Sequence, residues 1–206
     1  MSAKYIIKFI TIGRNNAGKS CIIIKYTEDK FCENINSTVG VDYRKKFIQK
    51  GNELIKLSIF DTAGQERYSY LTKNFYKGTN GALLVYDITC RDSFNKLNFW
   101  LNDLKNNSDD IDNLFIYLVG NKKDLEEKRE VSYDEASEFA YENNIPYIEV
   151  SAKTGENIDK LFDEMVKGTI KNIMKKRKEQ KNYIHESMRI SFLDKKTIKL
   201  NNKKCC

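Results

Sequence analysis

Gly13-Arg14-Asn15-Asn16-Ala17-Gly18-Lys19-Ser20 is the stretch on which the fold of this chain turns. The octet fits G-x-x-x-x-G-K-[ST]. An apolar run, Tyr5 to Ile12, leads into it, and a helix-period segment, Lys19 to Thr27 with Ile22, Ile23 and Tyr26 on one side, leads out. In a strand–loop–helix setting, successive backbone N–H groups form a concave nest for phosphates, and the helix start adds positive potential. Lys19 supplies a full charge to the terminal phosphates, and Ser20 supplies a hydroxyl to Mg²⁺. A Gly-containing turn carrying a chance Lys-Ser would not need the whole spacing. Gly13, Asn15, Asn16, Ala17, Gly18, Lys19, Ser20 and the adjacent Cys21 are therefore candidate nucleotide-binding residues. The loop alone does not name the base, because kinases and ATPases use it too. Asn15 and Asn16 stand where many such loops carry small residues, and Asn tolerates a left-handed backbone better than most residues.

Outward from the octet, strand-like and helix-like segments alternate. Val41 to Gln49 and Glu53 to Phe60 read as two strands joined at Gly51-Asn52, a hairpin signal. Gly81 to Tyr86 and Leu114 to Val119 are short apolar runs, as expected of strands buried on both faces. Phe94, Leu97, Leu101 and Leu104 mark a helix between them. Ser132-Tyr133-Asp134-Glu135 is a capping box opening another. Ile145 to Val150 reads as a last strand, and Ile158, Leu161, Phe162, Met165 and Val166 as the last helix of the domain. The alternation predicts an α/β fold, a P-loop NTPase with a mostly parallel six-stranded sheet and helices on both faces. Such sheets bind ligands at the carboxyl ends of their strands, so the loops there carry the chemistry.

Asn121-Lys122-Lys123-Asp124 follows one of these strands and fits N-K-x-D. A carboxylate has only acceptors, and guanine offers adjacent donors at N1 and N2 that Asp124 can pair. Adenine would leave the carboxylate unpaired, an effective discriminator. Ser151-Ala152-Lys153 follows the final strand and can give a backbone N–H to guanine O6. Asp61-Thr62-Ala63-Gly64-Gln65 ends the Glu53 to Phe60 strand. There Asp61 is placed to hold Mg²⁺ through its water shell, and the Gly64 N–H can meet a γ-phosphate. Thr38, in the loop after the first helix, can close over Mg²⁺ and the same phosphate.

Charge sets a further bound. Lys171 to Cys206 holds twelve Lys/Arg against three Asp/Glu, a net +9, so the first 170 residues sum to −2 of the total +7. The basic character belongs to a C-terminal tail, which argues against a nucleic-acid-binding domain and for an arm drawn to an anionic surface. Of the five cysteines, Cys21, Cys32 and Cys90 show no metal-ligand spacing, and Cys205-Cys206 ends the sequence. No secretory signal opens the chain, and a reduced, cytosolic protein is the expectation. The apolar run near the N-terminus is too short to span a bilayer.

Together these motifs resemble the Ras superfamily, and within it the Rab branch, over roughly residues 5 to 173 and the final two. The Rab-like stretches are Val39-Gly40-Val41-Asp42-Tyr43, Lys56 to Tyr68, Phe75-Tyr76-Lys77-Gly78, Leu84 to Thr89 and Glu149 to Lys153. The resemblance implies a monomeric small GTPase of two parts, a GTP-binding domain at 1–173 and a flexible basic tail at 174–206. It implies that Gln65 orients the attacking water and that Phe31 packs against guanine. It also implies geranylgeranyl groups on Cys205 and Cys206, which form no C-a-a-X signal and need an escort protein. An exchange factor, a GTPase-activating protein, a GDP-dissociation inhibitor and effectors are the implied partners. Vesicle trafficking at the cytoplasmic face of intracellular membranes is the implied setting. Arg91 to Leu104 and the terminal Lys-Lys-Cys-Cys are most similar to the subfamily usually numbered eighteen, linked to endoplasmic reticulum and lipid droplets; a Golgi membrane is a further option. Three features depart from the pattern: Phe60 in place of Trp, Asn16 in place of Gly, and Asn34 to Ser37 without the usual Pro or hydrophobic pattern. They bear on the aromatic patch of Tyr43, Phe60 and Phe75, on the hydrolysis rate and on effector choice. Two rival readings stay open: a scaffold that binds GTP without hydrolysing it, and a metabolic P-loop kinase, for which no second substrate pocket is legible.

Overall fold

A computed structural model describes residues 3–31, 38, 40–64 and 74–201, with side chains as far as 182. Six strands, β1 (Tyr5–Ile12), β2 (Val41–Lys50), β3 (Glu53–Thr62), β4 (Gly81–Asp87), β5 (Phe115–Asn121) and β6 (Tyr147–Glu149), form one sheet in the order β2-β3-β1-β4-β5-β6. Every pairing is parallel except β2 with β3, whose hairpin turns at Gly51 with φ 58°. The apolar run at 81–87 is buried at every residue, as a central strand covered on both faces requires.

Among the described residues, five α-helices accompany the sheet: α1 (Lys19–Glu28), α2 (Arg91–Asn95), α3 (Leu97–Asn107), α4 (Tyr133–Glu142) and α5 (Ile158–Asn201). On one face Leu97, Trp100, Leu101 and Leu104 of α3 bury with Ala136 and Ala140 of α4 against Ile10, Ile12, Leu84 and Leu118. Elsewhere Tyr26 of α1 stacks on Phe162 of α5, ring centroids 3.7 Å apart, and Lys46 Nζ lies 3.7 Å over the Tyr26 ring. The chain divides into two compact units, Met1–Thr169 and Ile170–Cys206. Past Gly168 the sequence holds neither Gly nor Pro and is rich in Lys, a good helix former, and it is helical to Asn201.

Two elements differ from the sequence expectation. The single helix expected through Phe94 and Leu104 is two, meeting at Lys96 with φ −85° and ψ −3°. Buried Ser93 binds α2 to the end of β4: its hydroxyl accepts from Asp87 N at 2.9 Å and lies 2.7 Å from Cys90 O. The strand expected at Ile145 to Val150 is only Tyr147–Glu149. Ile145 N–H is spent on Ala140 O at 3.0 Å, closing the end of α4, and Pro146 has no N–H to give. At the other end of α4, Ser132 Oγ accepts from Glu135 N at 3.2 Å, the expected cap, while the Glu135 carboxylate accepts from Arg91 instead.

Candidate nucleotide site

The octet follows β1 and opens α1, whose first turn carries no acidic residue, so nothing there offsets the helix dipole. Gly13 and Ala17 are buried, and Asn16 takes φ 61°, the left-handed conformation that the Asn was expected to tolerate. Lys19 is buried, and its ammonium donates to Gly13 O and Arg14 O, both at 3.0 Å. Burial pushes its pKa down to about 8, against the pull of the Asp61 carboxylate. Gly64 abuts the same loop. Its carbonyl accepts from Asn15 N at 2.7 Å, and a Cβ there would lie 2.3 Å from Asn15 N and 2.5 Å from Arg14 C, both backbone atoms, so only a residue without a side chain fits.

Three oxygen ligands expected at the metal converge beside Lys19. Ser20 Oγ donates to Asp61 Oδ2, Thr38 Oγ1 reaches the same oxygen at 3.4 Å, and the two hydroxyls are 3.1 Å apart. Asp61 lies at the carboxyl end of β3, next to its last residue, and burial raises its pKa while bonds from Ser20 and Thr11 and the charge of Lys19 oppose that shift. One carboxylate with two hydroxyls is a hard-oxygen set that suits Mg²⁺, which takes few protein ligands and fills the rest with phosphate and water. Thr11 Oγ1 donates to Asp61 Oδ1 at 3.1 Å and so fixes the rotamer of the carboxylate.

At the other end, Asn121 closes β5 and joins three loops. Its Nδ2 donates to Ala17 O at 2.9 Å, and its Oδ1 accepts from Ala152 N at 3.2 Å. Lys122 takes φ 69°, and its ammonium is 2.5 Å from Asp87 Oδ2. Asp124 is exposed, and its Oδ1 accepts from Ser151 Oγ at 2.5 Å. Ser151 and Ala152 are buried, whereas Lys153 is exposed. Cys21 is half-buried on α1. Phe31 is exposed and makes no hydrogen bond or ring contact with the base loops among the described residues. Gln65, Cys205 and Cys206 lie outside the described residues. The expected aromatic patch is present: Tyr43 and Phe60 are 5.2 Å apart by ring centroids, and Phe60 and Phe75 5.6 Å.

Thr11 and Asp87 were not picked out from the sequence. Asp87 had a usable signal, an acidic residue at the carboxyl end of an otherwise apolar, fully buried strand. Thr11 had none, being one polar residue inside β1.

The Ras family profile matches residues 8–171. The human Ras-related protein Rab-4A is 44% identical over 169 residues, covering 82% of this chain and 77% of that protein, and rat Rab-4A matches equally. Human Ras-related protein Rab-4B is 44% identical over 158 residues, covering 77% and 73%. Phosphate loop, metal-side hydroxyls and base loops thus occur together on a mostly parallel six-stranded sheet, in a chain that the family profile spans from β1 into α5. The chain belongs to the Ras family, as a small GTPase of its Rab branch.

Proposed function

We propose that this chain is a membrane-anchored switch in vesicle trafficking, active with GTP and inactive with GDP. The observation that carries the reading is the gathering of Lys19, Ser20, Thr38 and Asp61 at one end of the site and Asn121, Asp124 and Ser151 at the other. The octet N–H groups and Lys19 bind the phosphates. Ser20, Thr38 and Asp61 are the residues that would hold Mg²⁺, which when bound neutralises phosphate charge. Asp124 accepts from guanine N1 and N2, a backbone N–H of the Ser151-Ala152-Lys153 loop donates to O6, and Phe31 covers the ring. Asn121 and Lys122 brace the loops, and Lys153 borders the base. Gln65 orients the attacking water, and the Gly64 N–H meets the γ-phosphate. Loss of that phosphate frees the segments around Thr38 and Gly64, and effectors lose their surface.

No Arg lies between Phe31 and Tyr43, so an activating protein supplies one, worth about 10³–10⁵ in rate. An exchange factor reloads the site, and a GDP-dissociation inhibitor and an escort protein handle the lipidated form. Residues 1–173 act as the GTP-binding domain, and 174–206 as a basic tail carrying lipid on Cys205 and Cys206. Two chains meet the need for two anchoring signals, and no helix among the described residues is long and apolar enough to cross a membrane. The likeness of Arg91 to Leu104 and of the Lys-Lys-Cys-Cys end to subfamily eighteen supports an endoplasmic reticulum or lipid-droplet membrane, and imaging of N-terminally tagged chain tests it. Golgi signal would discard that subfamily.

Single-turnover hydrolysis of GTP by this chain and by Gln65→Leu tests the catalytic reading. Slow turnover lost in the variant is the expected result. Equal rates would leave the non-hydrolysing scaffold, to which the Asn15-Asn16 pair lends support.

A further inference from the structure

We infer that Tyr147, on the short strand β6, is a positioning residue for guanine recognition. The inference rests on the base site proposed above. Tyr147 Oη donates to Glu149 Oε1 at 2.6 Å and lies 2.7 Å from Tyr86 Oη, so Tyr86 must donate to it in turn. Tyr86 is fully buried near the carboxyl end of β4, and burial raises the pKa of both phenols, keeping them neutral donors. Glu149 is buried as well. Arg129 grips it from the other side, Nη1 to Oε1 at 2.7 Å and Nη2 to Oε2 at 2.8 Å.

The chain of bonds ends on both base loops. Arg129 also holds Glu126, with Nε to Oε1 at 2.7 Å and Nη2 to Oε2 at 2.6 Å, and Glu126 lies on the short 3₁₀ segment Lys123–Lys128 that carries Asp124. Glu149 stands two residues before Ser151, and its carbonyl accepts from Asn157 Nδ2 at 2.8 Å. Asp124 and Ser151 are 2.5 Å apart by their side-chain oxygens, so the position of one fixes the other. Tyr147 thus ties the rigid central strand to a carboxylate that sets the spacing of the two loops. Its hydroxyl does not touch the ligand. It holds the frame in which Asp124 can meet two guanine donors at once.

Removing that hydroxyl has a particular signature. Tyr147→Phe leaves Glu149 short of a donor and leaves the buried Tyr86 hydroxyl without an acceptor, and an orphaned buried group costs more than a bond removed from both sides. Adding Tyr86→Phe removes the orphan, so the double variant should recover part of the loss.

The test measures dissociation of GDP and of inosine diphosphate, which lacks the 2-amino group, from full-length chain, with thermal unfolding alongside. For Tyr147→Phe we expect GDP release to speed up about tenfold, the scale of one hydrogen bond to a charged group, and inosine diphosphate release to change far less. Tyr133→Phe, whose ring packs 5.1 Å from that of Tyr147, is the comparison and should leave both rates alone. Equal acceleration for the two nucleotides would reduce Tyr147 to general support and overturn the inference, as would unchanged rates. Failure of the unaltered chain to prefer GDP over ADP would overturn the base site itself, a distinct result.

Discussion

At the base end of the site, Asn121 is bonded to Ala17 O and Ala152 N, Ser151 to Asp124, and Arg129 to Glu149 of β6. At the phosphate end, the equivalent cohesion comes from one buried ammonium held by backbone carbonyls and one buried carboxylate held by hydroxyls. The first arrangement cross-braces two loops with neutral bonds and paired charges. The second concentrates charge that burial disfavours: Lys19 is pushed toward neutrality, and so is Asp61. In the proposed nucleotide site the base would meet a cross-braced frame, and the phosphates and Mg²⁺ would meet charges that burial disfavours.

The sharpest break should come at Lys19. Replacing it by Met should weaken GDP binding by about a thousandfold, the worth of two charge-assisted hydrogen bonds. Titration calorimetry measures it, and a loss below about tenfold would deny the phosphate end its electrostatic character. Next, Asp124→Ala should weaken GDP by about a hundredfold yet leave ADP unchanged, because only guanine donors lose a partner. Parallel loss for both bases would mean that Asp124 supports the loop without reading the base.

The low pKa of Lys19 gives a pH dependence of smaller size. Bound phosphate holds the ammonium charged, whereas the free protein releases that proton near pH 8. GDP affinity should then fall above about pH 8, approaching tenfold per pH unit, and the fall should be absent in Lys19→Met. For stability the sign reverses. The unfolded chain keeps the proton until its ordinary pKa of 10.5, so nucleotide-free protein should gain stability through this group as pH rises from about 8 to 10.5. The smallest effect belongs to Asn16. With φ 61°, Asn16→Gly should change thermal stability by less than about 1 kcal/mol, while Asn16→Val should cost about 1–2 kcal/mol.

The sequence legibility of the two ends differs for the same physical reason. The phosphate octet, the Asn121–Asp124 loop and Ser151–Lys153 are local spacings, and the mostly parallel sheet follows from alternating strand-like and helix-like segments. What stayed hidden was long-range. Thr11 meets Asp61 across 50 residues, and Tyr86 meets Tyr147 across 61. Nothing in a hydroxyl within a strand announces a partner so distant. The break at Lys96 and the shortening of β6 were equally invisible, because each depends on which acceptor a single N–H finds in the folded chain.

The contact of Asn121 with the phosphate loop also constrains how this sequence can drift. A Cβ on Gly18 would fall 2.2 Å from Asn121 Nδ2, at a backbone φ of 85° that already disfavours side chains. The two positions, 103 apart in the chain, therefore form one heritable unit. A saturation library should find each intolerant alone, and a shortened residue at 121 should not rescue a side chain at 18, because the backbone veto at Gly18 remains after the collision is gone.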